Sequence, residues 1–216
     1  MQFWDRRQAG QALAEKLLSL RGHHPVVVGV ARGGVVVAAE IARVLGAPLD
    51  VLPVGKVEAE EWPGTTLAAV GEGGVLVTDY DAANRLGMSP AQLRSAAKRK
   101  RIELTRRIVA SPRLFHRTAV SGRTVILVDD GITSGATVRA AIRVLRARGA
   151  ARIVLAVPVA PVDALARISA GVDMTVCLRR QPWRQATRNL YSELSPLSDE
   201  AVADALENRS PEPVPA

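Results

Sequence analysis

The chain is poor in the residues that cross-link or chelate. Of its 216 residues one is cysteine, Cys177, which excludes an intramolecular disulfide framework and a cysteine-based zinc cluster. Its place in the apolar run Asp173-Met174-Thr175-Val176-Cys177-Leu178 is that of a buried structural thiol. The three histidines, His23, His24 and His116, have no metal-ligand spacing, and the first two are expected in a loop. No run approaches the ~20 apolar residues that span a bilayer. The stretch MQFWDRRQAG carries charges where a signal peptide has its apolar core. A soluble, cytoplasmic protein with no membrane partner is expected. Two common nucleotide fingerprints are also missing, G-x-x-x-x-G-K-[ST] and G-x-G-x-x-G, and there is no internal repeat.

What is present suits one compact domain with a small appendage. The hydrophobic fraction is 48% and can supply a core; the net charge of +8 favours anionic partners such as phosphate-bearing small molecules, nucleic acid or a membrane surface. Residues 5–20 place Ala9, Leu13, Leu17 and Leu20 at helical spacing. The run Pro25 to Val30 is continuous, apolar and β-branched, as in a strand buried on both faces. ARGG follows as a turn, then the helical pattern VVVAAEIARVLG closed by Gly46. LDVLPVGK reads as a second strand with Lys56 at its end, and residues 57–66, VEAEEWPGTT, as a long mobile loop. Residues 67–79 read as a hairpin whose apolar character suits an oligomer contact, so a homo-oligomer, a dimer, is expected. Ser89-Pro90 opens a helix that runs to about Ala110. Beyond it come the strand TVILVDD, a helix over 136–148, the strand ARIVLAVPVA, a helix over 162–170 and the strand VDMTVCL. Strands alternating with helices predict an α/β fold, a mostly parallel twisted sheet flanked by helices. The division expected is a domain over 1–197 and a tail over 198–216, made of a capped helix, SDEAVADALEN, and the Pro-rich RSPEPVPA.

In such sheets ligands sit at the carboxyl ends of strands. Asp129 and Asp130 fall there, and they repel each other, so something must hold them. Gly131, Thr133, Ser134, Gly135, Ala136 and Thr137 separate them from a helix. Glycine lets backbone amides approach a ligand, the hydroxyls add donors, and the helix start adds partial positive charge. A phosphate nest beside two acceptors fits a sugar phosphate: carboxylates on vicinal hydroxyls, loop on phosphate. The bland alternative is a capped strand–turn–helix.

The stretch TVILVDDGITSGAT resembles the ribose-5-phosphate signature of the type I phosphoribosyltransferases. In that family it binds 5-phosphoribosyl 1-pyrophosphate (PRPP). The resemblance gives Asp129 and Asp130 the ribose hydroxyls and a catalytic part, and gives Gly131, Thr133, Ser134, Gly135, Ala136 and Thr137 the 5-phosphate. FWDRRQAGQALAEKL, VARGGVVVAAEIARVLGAPLDVLPVGK, LAAVGEGGV and residues 124–159 extend the likeness to a bacterial subfamily of phosphoribosyltransferase-like proteins, from Phe3 to about Glu193. It implies the family fold with a small hood. It also implies transfer of ribose 5-phosphate from PRPP to a nitrogenous acceptor base, with Mg²⁺ brought in by PRPP and no protein metal ligands assigned.

Other stretches gain meaning beside that signature. An R-G-G turn alone is as consistent with an ordinary turn, but Arg32, Gly33 and Gly34 resemble the family's short diphosphate loop. Lys56 could touch diphosphate or be a solvated loop lysine. Where the subfamily has a Gly/Pro-rich segment with an asparagine after the lysine, this chain has VEAEEWPGTT. Trp183 follows the last core strand, where purine-type relatives stack an aromatic on the base; edge packing is the alternative. Lys98, Arg99, Lys100, Arg101, Arg106 and Arg107 make a basic run over 96–110 that wraps a helix and lacks nearby aromatics, so a solvated face is favoured over nucleic-acid contact. The alternative function is non-catalytic sensing of PRPP or a nucleotide by a regulatory protein, one that could bind RNA.

Overall fold

A computed structural model of the chain describes residues 2–59, 61–115, 117–182 and 190–207. Along the chain run α1 (Arg6–Lys16), a short 3-10 turn, β1 (Val26–Val30), α2 (Ala31–Leu45), β2 (Leu49–Leu52), β3 (Val54–Ala59), β4 (Trp62–Gly71) and β5 (Leu76–Thr78). Next come α3 (Tyr80–Arg85), α4 (Pro90–Ala110), β6 (Thr124–Val128), α5 (Ala136–Ala147), β7 (Arg152–Pro161), α6 (Val162–Ser169), β8 (Met174–Gln181) and α7 (Asp199–Glu207). Five strands form a parallel sheet in the order β2-β1-β6-β7-β8. This is the α/β architecture expected from the sequence.

The apolar strands are explained by burial on both faces. Val26, Val28 and Val30 of β1 point to one core cluster with Val125, Leu127, Ile153 and Leu155 and the inner side of α5. Their neighbours Val27, Ile126, Val128 and Val154 point to the other cluster, closed by α1 and α2. The alternation of a strand thus carries apolar side chains into two cores at once, and no polar position is left between them. Helix ends follow the sequence: Gly46 takes φ 63 at the end of α2, and Ser89 with Gln92 makes a capping box ahead of Pro90.

β3, β4 and β5 form a separate antiparallel sheet, in that order. This corrects two expectations. Residues 57–59 and 62–66 are not a loop but belong to β3 and β4: Glu58 pairs with Thr66 and Ala59 with Trp62, across a register shift near Val57 and Glu58. Lys56 is not at the end of the second strand but inside β3, opposite Ala69. The 67–78 hairpin is formed between β4 and β5, with Leu76 exposed on it and most of its other apolar residues packed. Ala69 and Val77 join the cluster that holds α5, while Leu67, Ala68 and Val70 pack with Ala82, Ala83, Leu93, Ala97 and Leu104 of α3 and α4. The ARGG stretch also differs, since Arg32, Gly33 and Gly34 lie in the first turn of α2 instead of a loop before it.

α2 lies unusually close to the sheet and to α1. A Cβ on Gly29 would come within 2.6 Å of Val35 Cα, and one on Gly10 within 2.7 Å of the Val37 carbonyl. α7 docks on the same helix, with Val202 packed among Val35, Val51 and Leu114.

Gly29→Ala should therefore lower the unfolding free energy by about 1–3 kcal/mol, the cost of forcing volume into a packed core. Gly22→Ala, where an added Cβ meets nothing within 4 Å, should change it by less than ~0.5 kcal/mol. Urea unfolding of both variants checks this; equal effects would contradict the close contact.

Candidate active site

β6 is central in the parallel sheet, and its carboxyl end delivers Asp129 and Asp130 to a buried edge between α2 and the loop into α5. The two carboxyl groups are held differently. Asp130 takes an ion pair from Arg6, Nε to Oδ2 at 2.8 Å, and its carbonyl accepts from the Tyr191 hydroxyl at 2.7 Å. Arg6 also donates through Nη1 to the Ser195 carbonyl at 2.9 Å. Among the described residues no cation is in contact with Asp129; its Oδ1 accepts the Asp130 backbone N–H at 3.0 Å. Its side chain is buried.

That difference sets the protonation of Asp129. Burial pushes its carboxyl up to about 8, with the neighbouring Asp130 adding to the rise and Lys56 only partly opposing it. The Tyr191 phenol is raised as well, by burial first and by Asp130 second. Around neutral pH, Asp129 is thus mainly a neutral acid and a donor as well as an acceptor.

The glycines of ARGG have a definite steric role. A Cβ on Gly33 would sit 2.0 Å from Asp130 Oδ2; one on Gly34 would sit 2.6 Å from the Val128 carbonyl and 3.0 Å from Asp129 Cα. The first turn of α2 is pressed against the acid pair, which only residues without side chains allow. Arg32 turns away from the pair, with Nε 3.0 Å from Asp199 Oδ1 in α7. Lys56 is exposed on β3 and reaches Asp129 through its charge.

Past the acid pair, the Ile132 N–H bonds to the Val159 carbonyl at 3.0 Å, tying the loop to β7. Thr133 is exposed; Ser134, Ala136 and Thr137 are buried, and Ser134 Oγ accepts the Ala136 N–H at 3.4 Å. Gly135 caps α5 with φ 79, and a Cβ there would meet Ile168 Cδ1 at 2.9 Å, so conformation and space both require glycine. The structure therefore brings together Asp129, Asp130, Gly33, Gly34 and the 131–137 loop, with Lys56 near them. Trp183 and His116 lie outside the described residues.

Arg6 and Tyr191 were not assigned a role from the sequence. A physical signal exists for Arg6. Asp5 caps α1 by accepting the Gln8 N–H, which puts Arg6 and Arg7 in the first turn, the end where the helix dipole disfavours cations. Tyr191 gives no comparable signal. It is placed by a long-range pairing: Phe3 bridges to Tyr191, the Phe3 N–H reaches the Leu190 carbonyl at 2.8 Å, and the Ser192 N–H reaches the Phe3 carbonyl at 2.9 Å.

The central parallel strand ends in an acid pair followed by a glycine-bearing loop and a helix start, and comparison with known proteins gives the class. Residues 6–188 match the family model described as the phosphoribosyl transferase domain, and the chain belongs to that family. It is 40% identical over 205 residues to proteins from two Mycobacterium tuberculosis strains, CDC 1551 / Oshkosh and H37Rv, both provisionally named phosphoribosyl transferase. Those residues are 95% of this chain and 46% of each relative, so the chain spans about half their length. Among solved structures it is similar to TT1426 from Thermus thermophilus. The TM-score is 0.77 at 41% identity, over 97% of this chain and 99% of that one. The AQ2163 protein of Aquifex aeolicus shares the fold at TM-score 0.53 and 13% identity, over 93% of this chain and 83% of that one.

The raised Asp129 carboxyl has a consequence for stability. Its folded value lies above the ordinary 3.8, so between about 4 and 8 the folded state binds the extra proton and stability falls as pH rises through that window. Asp129→Asn removes the group that must ionise. Measured by urea unfolding, the variant should gain on the wild type between pH 5 and pH 9 by more than ~1.4 kcal/mol, the worth of one pKa unit. A gap that does not change with pH would contradict the assignment.

Proposed function

We propose that the chain transfers ribose 5-phosphate from PRPP to a nitrogenous acceptor with release of diphosphate, as a pentosyltransferase acting in the cytoplasm. The observation that carries this is the conjunction at the end of β6: a buried Asp129 beside a half-buried Asp130, followed at once by the 131–137 loop and the start of α5. Vicinal ribose hydroxyls suit Asp129 and Asp130. The 5-phosphate suits the loop amides, Thr133 and the helix start. Diphosphate suits the side of Arg32, Gly33, Gly34 and Lys56. An acceptor role for Trp183 falls on residues outside those described.

The bond from ribose C1 to the diphosphate oxygen breaks with its electron pair leaving on diphosphate, and the acceptor nitrogen bonds to C1 and gives its proton to solvent. The positive charge that develops on the ribose is stabilised by the Asp130 carboxylate, with Asp129 adding its charge when it gives up its proton. Mg²⁺ fits such a site, because it takes oxygen donors from one or two carboxylates and substrate phosphates while keeping several waters. When bound it would neutralise the leaving diphosphate. No described helix is long and apolar enough to cross a membrane.

Residues 1–197 are proposed as the transferase unit, with 198–216 as its appendage and a dimer as the assembled form. A non-catalytic PRPP or nucleotide sensor is the second reading. It draws on the basic face of α4, where Lys98, Arg99, Arg101 and Arg106 are exposed and could meet RNA.

Titration calorimetry of PRPP with and without Mg²⁺ tests the reading. Mg²⁺-dependent binding is expected in the wild type, weakened at least ~100-fold, about 2.7 kcal/mol, in Asp129→Asn/Asp130→Asn. Diphosphate release with a panel of nitrogenous bases should then follow. Absence of PRPP binding in the wild type would overturn the transferase. Tight binding without release by any base would favour the sensor.

A further inference from the structure

Two arginines from different helices share one carboxylate oxygen. Asp199 Oδ1, in the first turn of α7, accepts from Arg32 Nε of α2 and from Arg107 Nη2 of α4. The contact is not what caps α7 or docks it: Ser198 Oγ accepts the Ala201 N–H at 3.2 Å, and Val202 supplies the buried anchor. Arg107 is fixed from behind, with its guanidinium carbon 5.8 Å from the Phe115 ring centre. Its Nε is buried without a hydrogen-bond partner among the described residues. Beside it a cavity of about 220 Å³ has Lys56, Glu58, Lys100, Glu103 and Arg107 as its charged lining. Lys100 is drawn in by close packing, since a Cβ on Gly55 would meet its Cγ at 2.8 Å.

We propose that Arg32 and Arg107 form an anion subsite that Asp199 occupies in the free chain, and that diphosphate displaces Asp199 and takes both guanidinium groups. The proposal rests on the reading of this face as the diphosphate side. One carboxylate oxygen answers two guanidinium groups, each of which can give a paired hydrogen bond, and Arg107 Nε is left without an acceptor. A diphosphate offers more oxygens and more charge, and guanidinium groups bind phosphoryl oxygens in bidentate fashion. The two pairs to be broken are both partly exposed, at 47% for Arg32, 31% for Arg107 and 34% for Asp199, and solvent weakens such pairs. Asp199 is held below the usual carboxylate range, its burial being outweighed by Arg107 and Arg32, so it stays anionic as a stand-in. This also gives the basic helix α4 a part in the site, since Lys100 and Arg107 turn inward to the cavity while Lys98, Arg101 and Arg106 face solvent.

The experiment is calorimetric titration of inorganic diphosphate into the full chain, as wild type, Asp199→Asn, Arg107→Gln and Arg107→Lys, with a thermal melt of each to show that it folds. Hydrogen exchange over 199–207 is followed with and without diphosphate. Asp199→Asn should bind diphosphate at least ~3-fold tighter and Arg107→Gln at least ~10-fold weaker, with Arg107→Lys between wild type and Arg107→Gln. Protection over 199–207 should fall when diphosphate is added to the wild type. Unchanged or weaker binding by Asp199→Asn, unchanged binding by Arg107→Gln, or unaltered protection of α7 would each overturn the proposal. Arg107-dependent diphosphate binding in a chain that does not bind PRPP would instead remove the transferase reading and leave the anion subsite standing.

Discussion

Two carboxyl groups on consecutive residues at the end of a buried strand repel each other, and the fold meets that repulsion by treating them unequally. Asp130 receives Arg6 at 2.8 Å. Asp129 receives, among the described residues, a backbone N–H, and burial pushes its carboxyl up. Holding a proton on one of two adjacent acids relieves the repulsion between them. The N-terminal segment that supplies Arg6 is fastened to the C-terminal segment that supplies Tyr191 through the Phe3 bridge, so both chain ends serve the niche at the sheet's centre.

The same niche explains the glycines ahead of it. Gly33 and Gly34 let α2 start directly against the acid pair, with no room for a Cβ at either position. Their cost is conformational freedom lost on folding; what they gain is a helix start, with its partial positive charge, beside two acidic groups. For the proposed ligand this sets ribose, phosphate and diphosphate positions around one strand end. The arginine between strand and glycines points elsewhere, to α7, and links the site to the C-terminal helix.

Much of this was legible in the chain. The parallel strands announced themselves as unbroken β-branched runs, the helix starts as Ser89-Pro90 and Gly135, and the acid pair with its loop as a motif whose chemistry could be argued residue by residue. Other parts were not. β3 has the alternation of an edge strand, exposed Lys56 and Glu58 between buried Val54, Val57 and Ala59, but the acidic residues and Pro63-Gly64 that follow masked it as a loop. α3 is six residues long and rests on one cap, Asp79 to the Ala82 N–H, too little periodicity to register. The Arg6–Asp130 contact joins residues 124 positions apart, and no local pattern encodes such a pairing.

The most direct test of the account is the titration of Asp129 itself. Carbon-13 NMR of the aspartate side-chain carboxyls, followed from pH 3 to pH 10 in the wild type and in Asp129→Asn, reports each group separately. One carboxyl should show a midpoint near 8, be missing from the variant, and shift to lower pH when PRPP and Mg²⁺ are added. A wild type in which every aspartate titrates below about 5, within a unit of the ordinary value, would contradict it.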